Sequence, residues 1–266
     1  MLNALESSLI VLVSMLAALG CLLAYRRYWL PRHRHQQNDI IGWHISFLAT
    51  TYAVIIAFML ADVWQSYLAA QANTESEANS LLNMYRSAAA LPAPPNEQVR
   101  SLAKQYATVM ISEEWPAMER GGFSRSGYAI VRELWTNLRA TEARNASQQA
   151  ILSRALDDLT KFIEHRRIRH LANRTSIPGV FWVLLIAGAV LTIVYTCLFD
   201  LEDAMLHALQ VLGTTFIITL VLVTIADVDG PYGGSLHIEP TGFVDALRSM
   251  NADAIPAGAN ASHSSH

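Results

Sequence analysis

Four stretches of this chain are long and apolar enough to cross a lipid bilayer, and they limit the possible folds more than anything else in it. They are SLIVLVSMLAALGCLLAY (8–25), WHISFLATTYAVIIAFMLADVW (43–64), GVFWVLLIAGAVLTIVYTCLF (179–199) and AMLHALQVLGTTFIITLVLVTIA (204–226). A bilayer core about 30 Å thick needs roughly 20 helical residues. Inside it every backbone N–H and C=O must find a partner within the protein, so each stretch is expected to be a helix. The first is not expected to be a cleaved leader: MLNALE before it lacks Lys and Arg, and YRRYWLPRHRH follows it in place of a small-residue cleavage site. The expectation is an all-α, multi-pass integral membrane protein.

Composition agrees, with 52% hydrophobic and 15% charged residues. A net charge of -3, with no basic stripe interleaved with aromatics, argues against a nucleic-acid partner. Cys21 and Cys197 both lie in apolar runs and are expected to act as small buried hydrophobes. No GxSxG, Walker loop, GxGxxG or HExxH motif is present. The chain is therefore expected not to be an enzyme and to need neither cofactor nor metal.

The spans form two pairs around a long middle region. Residues 1–42 hold the first span and a basic loop. In 43–91 the second span continues as a helix through AAQANTESEANSLLNMYRSAAAL until LPAPP (91–95) ends it. Residues 92–176 read as a helical extramembrane domain. In it Asn96 is a candidate N-cap, EEWP (113–116) bends or stops a helix, and 147–171 forms a long amphipathic one. Residues 177–226 carry spans three and four, 227–250 a turn, a short extended SLHIE and a closing helix, and 251–266 a disordered tail. Arginines flank the membrane four against four, at 26, 27, 32 and 34 and at 166, 167, 169 and 174. Short loops weigh more, so charge leans toward an outside middle domain without fixing the side.

At about 100° per residue the second span sorts into three faces. Ser46, Thr50, Ala53, Ala57 and Ala61 form a stripe of small residues, expected to pack against another helix. Leu48, Tyr52, Ile56, Met59 and Val63 form a bulky face suited to lipid or a neighbour. The third carries Thr51, Ile55, Phe58 and Asp62 in the order a narrow pore needs: a hydroxyl, two bulky apolar residues, then a charge at the mouth. Rings of Ile and Phe gate by dewetting, and an acidic ring draws cations to an entrance. The plain alternative is ordinary core at Ile55 and Phe58 with a hydrated Asp62.

Other chemistry-bearing groups read as structural. The pairs His33/His35 and His165/His170 lack carboxylate partners at metal-binding spacing and read as basic flanks near headgroups. Glu113 and Glu114 read as solvated acids at a helix end. Asp227 and Asp229 in DVDGPYGG lack the remaining ligands of a calcium loop and read as a capping turn, with Gly230, Gly233 and Gly234 supplying unusual backbone angles.

RHRHQQND (32–39), TYAVIIAFMLADVWQSY (51–67), EANSLLNMYR (77–86), EEWPAM (113–118) and DVDGPYGG follow one another in an order that resembles the bestrophin-like domain family of bacterial membrane proteins, over roughly residues 30–250. That family is distantly similar to bestrophins, homopentameric anion channels with a pore lined by the second span and helices extending into the cytoplasm. The resemblance implies a homo-oligomer, a pentamer by analogy, in a bacterial inner membrane. Ile55 and Phe58 would take the part of the apolar neck, and Trp64 and Tyr67 that of the aromatic pair where the helix leaves the membrane. Asp62 departs from an anion pathway, and the arginine-rich first loop would lie outside. The functional expectation is passive conduction of an ion along the second span. The competing expectation is a non-conducting scaffold or signalling protein whose helical domain binds a partner.

Overall fold

The computed structural model describes residues 4–28, 38–199, 201 and 203–253. Among them there is no strand, and the helices are α1 (Ala4–Tyr28), α2 (Asn38–Ala88), α3 (Pro95–Val109), α4 (Trp115–Glu119), α5 (Ser126–Arg139), α6 (Ala146–Ala172), α7 (Gly179–Leu198), α8 (Ala204–Val228) and α9 (Thr241–Ala252). A π-turn at Met110–Glu114 links α3 to α4. The chain divides into two compact units. One comprises the chain up to Tyr67, Ser176–Gly230 and Gly234–Leu236; the other comprises Leu68–Thr175, Pro231–Gly233 and the chain from His237 onward. Helix α2 has 51 residues and contributes to both. At 1.5 Å per residue it is more than twice as long as a bilayer core is thick.

Among the described residues, α1, α2, α7 and α8 are long and apolar enough to span a membrane, and the first unit holds α1, α7, α8 and the part of α2 up to Tyr67. Leu9, Leu12, Leu16, Val183, Ile186, Leu209 and Ile217 point outward and exposed, the reverse of a water-soluble bundle. The bulky face of α2 is the one that packs within the chain. Tyr52 is buried against Ala189 and Ile218, and Val63 against Ile225 and Val228. The Tyr52 hydroxyl donates to the Leu185 carbonyl at 2.7 Å, so the polar end of the buried ring is paired inside the bundle. Gly188 makes room for that ring: a β-carbon there would collide with Tyr52 Cδ2 and Cε2. Gly188→Ala is therefore expected to destabilise the bundle by about 1–3 kcal/mol, read as a lower thermal midpoint in detergent.

Asp203 caps α8, its carboxylate accepting from the amides of Met205 and Leu206 at 2.8 and 3.3 Å. Past α8, Asp227 accepts from the amides of Ser235 and Leu236 at 2.8 and 3.0 Å, and Asp229 from that of Ile177 at 2.8 Å. These two acids hold a turn. Gly234 alone of the turn's three glycines has a positive φ, +87°, and a β-carbon on it would strike the Asp227 carboxylate.

The described elements of the second unit are helices joined by turns and loops, and three expectations change there. Pro94 precedes α3 and Pro95 opens it; Asn96 lies one position inside, accepting from the Glu97 amide. EEWP does not end the helical path, because the π-turn absorbs one extra residue and Pro116 falls in the first turn of α4, where its missing N–H costs nothing. SLHIE forms no strand; the Ile238 amide donates to the Pro231 carbonyl at 2.9 Å, closing a loop. Asn145, with its side chain accepting from the Gln148 amide at 2.8 Å, starts α6. Of the expected tail, residues 254–266 lie outside the described residues.

Candidate functional site

Two constellations stand out, one in each unit. In the first unit α2 presents to the outside the face carrying Thr51, Phe58 and Asp62, all exposed, with Ile55 half-buried. Phe58 is 73% exposed although it sits in the middle of an apolar helix. The Thr51 hydroxyl donates back to the Phe47 carbonyl at 2.9 Å, so it is satisfied within the helix. Trp64 and Tyr67 stack with ring centroids 5.5 Å apart and planes 12° from parallel. Their contact gives the helix an amphipathic collar one turn past Asp62.

The small-residue stripe was expected to pack against another helix. Within the chain it does not: Ser46, Thr50, Ala53, Ala57 and Ala61 are all exposed. The reason is steric. The neighbouring helix supplies its own small residue, Gly188, and so accepts the large ring of Tyr52 where two small faces would have met. Two adjacent faces of α2 are thus left uncovered by the protein's own helices.

In the second unit five polar side chains form a closed ring that sequence reading missed. Glu77 comes from α2, Tyr106 from α3, Glu114 from the π-turn, and Arg166 and Arg169 from one face of α6. Arg169 Nε and Nη2 donate to the two Glu77 oxygens at 2.7 and 3.2 Å, and Nη2 also to Glu114 Oε2 at 3.1 Å. Arg166 Nη2 donates to Glu114 Oε1 at 2.9 Å and its Nε to the Tyr106 hydroxyl at 2.9 Å. Tyr106 closes the ring by donating to Glu77 Oε1 at 2.9 Å. Glu77 and Arg169 have no accessible surface and Glu114 is 1% exposed. Two carboxylates and two guanidiniums leave no net formal charge. That balance lets the ring sit in a dry core.

Burial disfavours the charged form of Arg169, but Glu77, Tyr106 and Glu114 more than offset it and hold the guanidinium well above its ordinary value. Burial and the Glu77 carboxylate together push the Tyr106 hydroxyl far up, so it stays a donor. Gly127 opens the space: a β-carbon there would strike Glu114 Oε1 and approach Arg166 Nη2 to 3.1 Å. The π-turn also separates the two acids, since Glu113 points outward to the Ser126 hydroxyl while Glu114 is buried.

Two expectations are corrected here. Glu114 is not a solvated acid, and HRRIRH is not a flexible basic flank. Its His165 bonds Asn73 through Nδ1 at 2.8 Å, and His170 stacks on Phe123 at 5.0 Å between centroids. His33 and His35 lie outside the described residues.

The His170 Nε2 is buried without a hydrogen-bond partner. Burial, then the charges of Arg169 and Arg166, push the ring from its ordinary 6.5 down to about 4. Between those values the unfolded chain takes up a proton that the folded one does not, so stability falls as pH drops from 6.5 to 4. The expected result is a thermal midpoint that declines less steeply over that window in His170→Phe, which keeps the stack, than in the wild type.

A family model for the bestrophin-like domain matches residues 12–243. The fold is similar to crystal structures of a bacterial bestrophin homologue from Klebsiella pneumoniae. A single-substitution variant aligns with a TM-score of 0.69 at 10% identity, covering 93% of this chain and 98% of that one. Another structure of that homologue gives 0.65 at 13% identity, covering 92% and 97%. A further structure, of a membrane protein variant, gives 0.64 at 14% identity, covering 91% and 96%. At such identities the likeness is one of fold. No curated protein matches the sequence.

Proposed function

The chain belongs to the bestrophin-like domain family, and from that premise we propose that it is a homo-oligomeric ion channel whose path is lined by α2. One observation carries this reading. The face bearing Thr51, Phe58 and Asp62 is left open by the chain's own helices, while Tyr52 and Val63 turn inward. In a ring of subunits, a pentamer by family resemblance, that face turns to the axis. The small stripe of Ser46, Thr50, Ala53, Ala57 and Ala61 then meets the neighbouring subunit, which it can approach closely. Ile55 and Phe58 form the constriction, and Asp62 places one negative charge per subunit at the entrance. Trp64 and Tyr67 mark the level where α2 leaves the bilayer. Transport is passive and no reaction is catalysed. The compartment is a bacterial inner membrane.

The test is ion flux from liposomes reconstituted with purified protein, with the oligomeric mass measured alongside. A ring-sized oligomer that conducts agrees with the reading. A tight monomer or dimer without flux contradicts it and favours the scaffold.

A further inference from the structure

Cys21 lies on α1 and Cys197 on α7, distant in sequence, and they are the chain's two cysteines. Both were expected to be small buried hydrophobes, but Cys21 is exposed and only Cys197 is buried. Ala18, Cys21, Leu22 and Tyr25 recur at helical spacing and share one face of α1, and that face meets α7 around Cys197. Cys197 is clustered with Ala18 and Leu22, which bracket Cys21 on α1. One turn further on, the Tyr25 hydroxyl donates to the Leu198 carbonyl at 3.4 Å and Arg26 Nη2 to the Leu201 carbonyl at 3.1 Å. Contacts between α1 and α7 thus flank Cys21, at Ala18 before it and at Tyr25 after it, with Cys197 and Leu198 on the facing helix. Neither cysteine belongs to the face assigned to conduction.

We propose that Cys21 and Cys197 form a modification site: a dithiol that closes to an intramolecular disulfide and ties α1 to α7. The co-reactant is a lipid-partitioning small disulfide. The exposed Cys21 attacks it as thiolate, forming a mixed disulfide and expelling one small thiol. Cys197 as thiolate then attacks the Cys21 sulfur and expels the second. Overall two protein thiols become one disulfide and the reagent disulfide becomes two thiols, the two protein protons ending on the expelled thiols. The closed loop spans most of the chain, so the bond restricts the unfolded state strongly.

The experiment treats full-length protein in lipid nanodiscs with dithiodipyridine and reads intact mass, released thiopyridone and thermal midpoint. Expected are a chain lighter by two hydrogens, two thiopyridones released per chain, no retained pyridyl group, a raised midpoint, and reversal by dithiothreitol. Cys197→Ser should retain one pyridyl group, on Cys21. A wild-type chain that retains pyridyl groups, fails to react, or forms disulfide-linked dimers overturns the proposal. The readout does not depend on whether the protein conducts ions.

Discussion

Arg169→Ala is expected to cost the second unit about 3–5 kcal/mol, enough to remove much of a typical domain's stability. The arginine closes contacts to both Glu77 and Glu114, and its loss leaves two carboxylates buried without that cation. Arg169 also donates toward the Met118 sulfur at 3.1 Å, so the deletion empties packed volume as well. Arg169→Lys should fall between, because one ammonium cannot reproduce a fork shared by two carboxylates. Replacing Glu77, Glu114, Arg166 and Arg169 together by apolar residues of similar volume should cost less than the single Arg169→Ala, since the penalty comes from unpaired charge. Thermal unfolding of the purified variants ranks the three. If Arg169→Ala melts like wild type, the ring does not hold the unit together.

Phe58→Ala is expected to raise flux on the order of tenfold, equivalent to about 1.4 kcal/mol off the barrier. In the proposed ring, this exposed Phe in the middle of an apolar helix would repeat around the axis and form a dry constriction that ions cross only after shedding water. Shortening it to a methyl widens and wets the path. The fold should barely notice, because Phe58 is 73% exposed and makes none of the buried contacts of Tyr52 or Val63. Initial efflux rates at equal protein density, with the melting midpoint as control, check both halves. Unchanged flux would place Phe58 against lipid.

The four spans and the long second helix were legible because lipid imposes a length and an apolar composition that little else in a sequence produces. So was the division of α2 into faces, since helical geometry fixes which residues share a side. Which face turns inward was not legible. That depended on Gly188 of α7 admitting Tyr52, a fact about two helices distant in sequence. The buried ring was not legible from charge alone, because Glu and Arg ordinarily lie at the surface. A signal was nevertheless there. Ala155, Leu159 and Phe162 recur at helical spacing, and continuing their stripe lands on Arg166 and Arg169. Arginines in register with a core stripe announce buried acceptors. Glu77 likewise falls in line with buried Leu81 and Met84. The π-turn that buries Glu114 and turns Glu113 outward leaves no comparable trace in composition.

The most direct test of an ion path along α2 is the cation-to-anion permeability ratio of wild type and Asp62→Asn, taken from reversal potentials across a salt gradient in planar bilayers. The charge is exposed and lies one turn past Phe58, so the substitution should not disturb folding. The expected result is a shift toward anions that is largest at low ionic strength, where about 30 Å of Debye length at 0.01 M leaves the entrance charge unscreened. An identical ratio in both proteins at every salt concentration would contradict it.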